Sequence, residues 1–249
     1  KIYWLFIEKK NLLKCKSILV TTKYEKTLLN KTYVNTKNIK KSLIKYGIFQ
    51  KNFNKKKIKK LFYKKYPFLK NKKFLLFLGR FHDKKGCDIL INSIKLLEKN
   101  QFKLNFLLAG PESKEKSYFK KISKHLGLTK NVFWSEAIYG DLKYGAILAS
   151  EGMVLPSHGE NFGVALVESL SMSKPVITTN KVNIYKDLIK FKAGIVSKDN
   201  LKSFTKSLIR FNSLTKNQKI DLSQNSLKCF NDNFNLASND IETLKLFKK

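Results

Sequence analysis

The sequence predicts an α/β fold, a doubly wound, parallel, Rossmann-like sheet over residues 71–213 preceded by part of a second domain. Three observations lead there. Apolar runs such as FLLFL, LNFLL and PVIT are too short for helices and lack polar alternation, the mark of strands buried on both faces. Segments with apolar residues at helical spacing separate these runs, which makes the strands parallel and joins them by right-handed crossovers. Loops rich in glycine and charge follow the runs directly, and the carboxyl ends of such strands are where this architecture binds ligands.

Ser17 to Thr21 (SILVT) reads as a strand, followed by a helical stretch from Tyr24. Lys51 to Lys65 is lysine-dense, a linker or surface helix and a natural domain boundary, so residues 1–70 are set apart. From Lys73 the alternation is regular. FLLFLG is a buried strand, and Cys87 to Glu98 places Leu90, Ile91, Ile94 and Leu97 on one helical face. LNFLLAG, NVFW, MVLP and PVIT follow as strands, with helices expected over Lys114 to His125, Leu142 to Ala149 and Val164 to Met172. Residues 214–249 are expected to add C-terminal helices.

The net charge of +33 invites a polyanion-binding or nucleic-acid-binding reading. Of 51 basic residues only Arg80 and Arg210 are arginine, leaving 51 − 2 = 49 lysines spread along the whole chain. A spread of that kind follows codon bias and makes a solvated surface, and helix-turn-helix order, zinc fingers and aromatic RNA-binding strands are missing. An attraction to anionic membrane surfaces or phosphorylated substrates is still expected. Cys15, Cys87 and Cys229 are odd in number and form no CxxC pair, which argues against a disulfide framework or zinc site and fits a reducing cytoplasm. No run of about 18 apolar residues predicts a transmembrane helix. The first residue is Lys1 and no secretory signal follows, so a truncated chain is expected.

The loops after the predicted strands hold the chemistry-bearing residues, and of the three taken here the turn at Gly110 is weak on its own. Gly79-Arg80-Phe81-His82-Asp83-Lys84-Lys85-Gly86 joins a strand to a helix, and puts a rare arginine beside lysines at a helix N-terminus, an arrangement suited to a diphosphate. Ala109-Gly110-Pro111-Glu112 is a sharp turn with room near the Gly110 backbone. Pro156 to Gly163 runs into a helix carrying Glu168, so that Glu160 and Glu168 can face one pocket with the helix amides between them. The alternative is that Glu168 faces solvent and Glu160 is only an N-terminal charge.

In this order LGRFHDKKG, LLAGPE, LPSHGENFGVALVESLSMSKPVITT and KAGIV resemble glycosyltransferase family 4, retaining sugar-nucleotide transferases of the GT-B fold, over about residues 71–213. KCKSILVTTKYE, from Lys14, resembles that family's last acceptor-domain strand and helix, and Asn233 to Phe247 resembles the terminal helix that crosses back. The resemblance implies a GT-B donor domain with a partial remnant of the N-terminal acceptor domain. It implies that Arg80 and Lys85 bind the donor diphosphate, that Glu160 contacts the donor sugar beside the backbone of Asn161, Phe162 and Gly163, and that Glu168 holds the ribose. Gly79 and Gly110 belong to the donor-binding loops. No metal and no cofactor are implied, the cations acting on the leaving group. The implied partners are a nucleotide-sugar donor and a glycan or lipid-linked acceptor, in surface polysaccharide biosynthesis, in the cytoplasm or peripheral to the inner face of the membrane, and no nucleic acid. Roughly the first 150 residues of the two-domain protein are missing, so most of the acceptor site, and transfer with it, is expected to be absent.

The sequence departs from the family pattern at Ile44 to Ile48, where P-N-G-V is usual, at Ser173-Lys174, where a glycine is usual, and at Glu136, which could narrow the base pocket. His158 is a tempting base, though a loop histidine is more often a pocket or structural residue.

Overall fold

In the computed structural model, which describes residues 3–32, 38–44 and 46–236, the chain begins with a short helical segment ending in α1 (Lys9–Lys14). It continues as β1 (Ile18–Val20), α2 (Lys23–Thr32) and β2 (Lys41–Leu43). β1 and β2 pair in parallel, Leu19 opposite Ser42. Glu25, in the first turn of α2, accepts hydrogen bonds from the amide and hydroxyl of Thr21 at 2.7 and 2.8 Å, where a carboxylate also meets the positive end of the helix.

The lysine-dense segment is a helix, α3 (Lys55–Lys65), capped by Asn54, whose side chain accepts from the Lys57 amide at 3.0 Å. Ile58, Phe62, Tyr66 and Leu69 form a buried stripe at three- and four-residue spacing, which leaves the lysines outside. The stripe packs on α6 (Gly140–Ala149), where Gly145 has no side chain to obstruct the carbonyl of Ile58.

The remaining elements are β3 (Phe74–Leu78), α4 (Cys87–Lys99), β4 (Asn105–Ala109), α5 (Lys114–His125), β5 (Val132–Ser135), β6 (Gly152–Leu155), α7 (Val164–Ser171), β7 (Val176–Thr179), α8 (Tyr185–Lys190), β8 (Gly194–Ser197), α9 (Leu201–Asn212) and α10 (Lys216–Asn233). Six strands form one parallel sheet in the order β5-β4-β3-β6-β7-β8. Right-handed crossovers leaving the centre in opposite directions put α4 and α5 on one face and α6, α7 and α8 on the other. All residues of β3, β6 and β7 are buried, whereas the edge strands β5 and β8 are only partly covered. That is why the inner strands read as unbroken apolar runs.

The turn at Gly47 is joined to the C-terminal end of the described residues. The Ile48 amide donates to the Phe234 carbonyl at 2.9 Å, and any Cβ on Gly47 would meet that oxygen. Lys45 of that turn, and the tail from residue 237 onward, lie outside the described residues. None of the described helices is long and apolar enough to cross a membrane.

Candidate functional site

The strand order reverses between β3 and β6, so the loops leaving these two strands diverge and open a crevice at the carboxyl edge. Gly86, in the left-handed conformation at φ 67°, ends the first loop and caps α4. A Cβ there would lie 1.9 Å from the Pro156 carbonyl oxygen, and the His158 amide donates to the Lys84 carbonyl at 2.9 Å. The two loops are therefore laid against each other. Between them the Lys85 ammonium pairs with the Glu160 carboxylate. Gly79 lies under the Lys85 stem, and Gly110 packs on the Gly79 carbonyl. Gly163, left-handed at φ 73°, opens α7 with Glu160 Cγ beside it. Gly79, Gly110, Lys85, Glu160 and Gly163 thus form one contiguous set.

Chemically, the crevice suits an anion. The opening amides of α4 and α7 have no partner within their helices and carry the positive ends of the helix dipoles. Lys85 adds a charge, and Arg80, exposed at the exit of β3, makes no ion pair among the described residues. Ser157 Oγ and Asn180 Oδ1, just past the carboxyl ends of β6 and β7, are buried without a hydrogen-bond partner among the described residues. The loop after β7 completes the wall: the Glu160 amide donates to the Lys181 carbonyl and the Asn183 amide to the Glu160 carbonyl, both at 3.0 Å.

Glu168 does not face solvent. It is nearly buried in α7, and its Oε1 accepts from Lys143 at 2.5 Å and from the Tyr144 hydroxyl at 3.3 Å. Burial, then the charge and hydrogen bond of Glu168, push the Tyr144 hydroxyl up to about 12. Glu160 is thus held by Lys85, and Glu168 by Lys143 and Tyr144 of α6. Asn161 ties the loop to the front of the chain, its amide donating to Thr21 Oγ1 at 3.2 Å and to Glu25 Oε1 at 3.3 Å. The Phe162 side chain is an anchor, buried against Tyr46 and Phe234 at ring separations of 4.6 and 5.6 Å.

His158 is held between two carboxylates, Nδ1 2.7 Å from Asp199 and Nε2 3.1 Å from Asp88. Partial burial opposes its charge, but the hydrogen bonds and charges of Asp88 and Asp199 prevail and raise its pKa. With both nitrogens occupied it ties loops together and does not stand as a free base. Glu136 is exposed. Ser173 takes φ 59°, which accounts for the glycine usual there.

Lys116, Lys143 and Tyr144 were not singled out from sequence. The Lys116 ammonium is fully buried and donates to the carbonyls of Gly110 and Ser135, each at 2.9 Å, and to Glu112 at 2.5 Å, fixing the turn after β4. Burial of its helix position was the one available signal. Among the described residues no group of three or more His, Cys, Asp and Glu side chains is placed to hold a metal ion.

The family model described as Glycosyl transferases group 1 matches residues 58–227. An uncharacterized glycosyltransferase of Methanocaldococcus jannaschii is 30% identical over 131 residues, which is 51% of this chain and 34% of that protein. The capsular polysaccharide biosynthesis glycosyltransferase CapM of Staphylococcus aureus is 26% identical over 152 residues, 58% of this chain and 38% of that protein. The chain spans about a third of the length of such curated relatives. Sucrose-phosphate synthase from Thermosynechococcus elongatus superposes with a TM-score of 0.84 at 18% identity, covering 99% of this chain and 61% of that one. HepE of Anabaena, solved in complex with UDP and glucose, gives 0.76 at 15% identity, covering 94% and 64%. At these identities the structural likeness speaks for the fold alone.

Proposed function

The chain belongs to the group 1 glycosyl transferases, and from that premise we propose that its crevice binds a nucleoside diphosphate sugar for a retaining, family 4 type of transfer to a glycan or lipid-linked acceptor. The single observation that carries this is the Lys85–Glu160 pair at the reversal of strand order, between two helix N-termini. Arg80, Lys85 and the opening amides of α4 and α7 would hold the diphosphate and stabilise the charge that develops as it leaves. An ammonium has three donors, so Lys85 can serve Glu160 and a phosphate oxygen together, while Glu160 accepts a hydroxyl of the donor sugar. Glu168, nearly buried and oriented by Lys143 and Tyr144, would accept ribose hydroxyls. In the transfer the bond from the anomeric carbon to the diphosphate oxygen breaks and the acceptor oxygen bonds on the same face. The acceptor proton passes to the leaving phosphate, with no metal assigned a part. Likeness to the capsular polysaccharide relative supports surface polysaccharide as the product class; transfer at the inner face of the membrane belongs to the same proposal.

Titration calorimetry of the chain with UDP, GDP and ADP tests this. One of the three is expected to bind saturably, with Arg80→Ala and Glu168→Gln each weakening it. Failure of all three to bind would overturn the proposal.

A further inference from the structure

At the opposite edge of the sheet, where β3, β6 and β7 begin and α10 starts, lies a cavity of about 570 Å3. Lys73, Lys174, Lys216, Lys219 and Glu151 are among the residues lining it. Its charge is unbalanced. Lys219 pairs with Glu151 at 2.7 Å, but Lys174 donates to the neutral carbonyl of Ser150 at 2.6 Å. Lys73 and Lys216 form no ion pair among the described residues, so four lysines line the cavity against the one carboxylate of Glu151.

Lys174 is also held in place. Its amide donates to the Ser169 carbonyl at 3.0 Å, and its own carbonyl accepts from the Ser169 hydroxyl at 3.3 Å. The preceding Ser173 is kept at φ 59°, a conformation that side-chain-bearing residues hold only when their surroundings impose it. Helix α10, opened by a Thr215–Gln218 capping box, directs the positive end of its dipole to the same place. Burial, then the charge of Lys59, lower the Lys174 amine to about 8 against the opposing charge of Glu151, a cost that a further anion would relieve.

We propose that this cavity is a second anion site, apart from the crevice, that takes a phosphate-bearing ligand, either a small molecule or a lipid headgroup. Its volume falls in the range of small-molecule sites, and a diphosphate or a phosphate monoester matches the uncompensated ammonium groups in charge.

The test is the rate at which an amine-acylating reagent modifies Lys174 at pH 8 in the whole chain, read peptide by peptide by mass spectrometry. Inorganic pyrophosphate is titrated in one arm, and vesicles of phosphatidylglycerol or phosphatidylcholine in another. Saturable slowing of Lys174 by at least about tenfold is expected, against little change at the exposed Lys99. The effect should persist in an Arg80→Ala/Lys85→Ala variant and vanish in Lys73→Met/Lys216→Met. Slowing by pyrophosphate assigns a soluble ligand, and slowing by phosphatidylglycerol vesicles alone assigns a headgroup. The proposal fails if neither arm slows Lys174 more than Lys99, or if the crevice variant removes the effect.

Discussion

Replacing Gly86 by alanine tests whether the loops after β3 and β6 rest on each other. Two costs follow from the structure. The left-handed conformation at φ 67° costs a residue with a side chain about 1–2 kcal/mol. A Cβ 1.9 Å from the Pro156 carbonyl oxygen must also drive that loop back by about 1 Å, and overpacking of that kind costs about 1–3 kcal/mol. Gly127 supplies the control, for it is left-handed at φ 78° but has nothing within 4 Å of a Cβ. Gly127→Ala should therefore lose only the conformational part. Urea unfolding followed by circular dichroism should find Gly86→Ala less stable than Gly127→Ala by about 1–3 kcal/mol. Calorimetry should find its nucleotide binding weakened as well, because Gly86 follows Lys85 and opens α4, whose amides are proposed to hold the diphosphate. Equal stability of the two variants would refute the contact, and with it the geometry of the crevice.

Four further outcomes are expected. Lys116→Met leaves the buried Gly110 carbonyl without this donor and the Ser135 carbonyl with the Gly110 amide at 3.3 Å, and should cost about 1–3 kcal/mol in urea unfolding; a loss under about 0.5 would mean the network is unimportant. Phe162→Ala empties the space between Tyr46 and Phe234 and should cost about 3–4 kcal/mol by the same measurement. For Lys174 the folded amine sits near 8, below its ordinary 10.5, so the unfolded chain binds more protons between these values and stability rises with pH across that window. Relative to Lys174→Met the gain should be on the order of 3 kcal/mol, and parallel pH profiles would contradict it. His158 has the opposite sign: its raised pKa gives stability that is full below about pH 6.5 and lost as pH climbs through the folded value, so His158→Gln should flatten that decline.

Central strands are legible in the sequence because burial on both faces removes polar residues from them, as in Phe74–Leu78 and Val176–Thr179. β8 (Gly194–Ser197), half covered at the edge, and the six-residue α8 give no comparable signal. α9 does carry one, in the buried Phe204, Leu208 and Phe211 at helical spacing. Within the site, Arg80 stands out because arginine is rare in this chain, and Glu160 and Glu168 because they flank a helix start. Lysines cannot stand out among 49. Lys85 gains meaning from its neighbouring glycines, whereas Lys116 and Lys143 are told apart from the solvated majority only by burial and by partners distant in sequence. The pairing of Lys85 with Glu160, 75 residues apart, depends on the strand order β3-β6, which periodicity does not encode.

The decisive measurement compares the affinity of the preferred nucleoside diphosphate for wild type, Lys85→Met and Glu160→Gln at one fixed salt concentration. A charge-assisted hydrogen bond to phosphate is worth about 1.5–3 kcal/mol, so Lys85→Met should bind roughly 10- to 100-fold more weakly. Glu160→Gln, which removes the carboxylate paired with Lys85 and frees the ammonium for phosphate, should bind the sugar-free nucleotide at least as tightly as wild type. Undiminished binding by Lys85→Met would show that the diphosphate is held elsewhere.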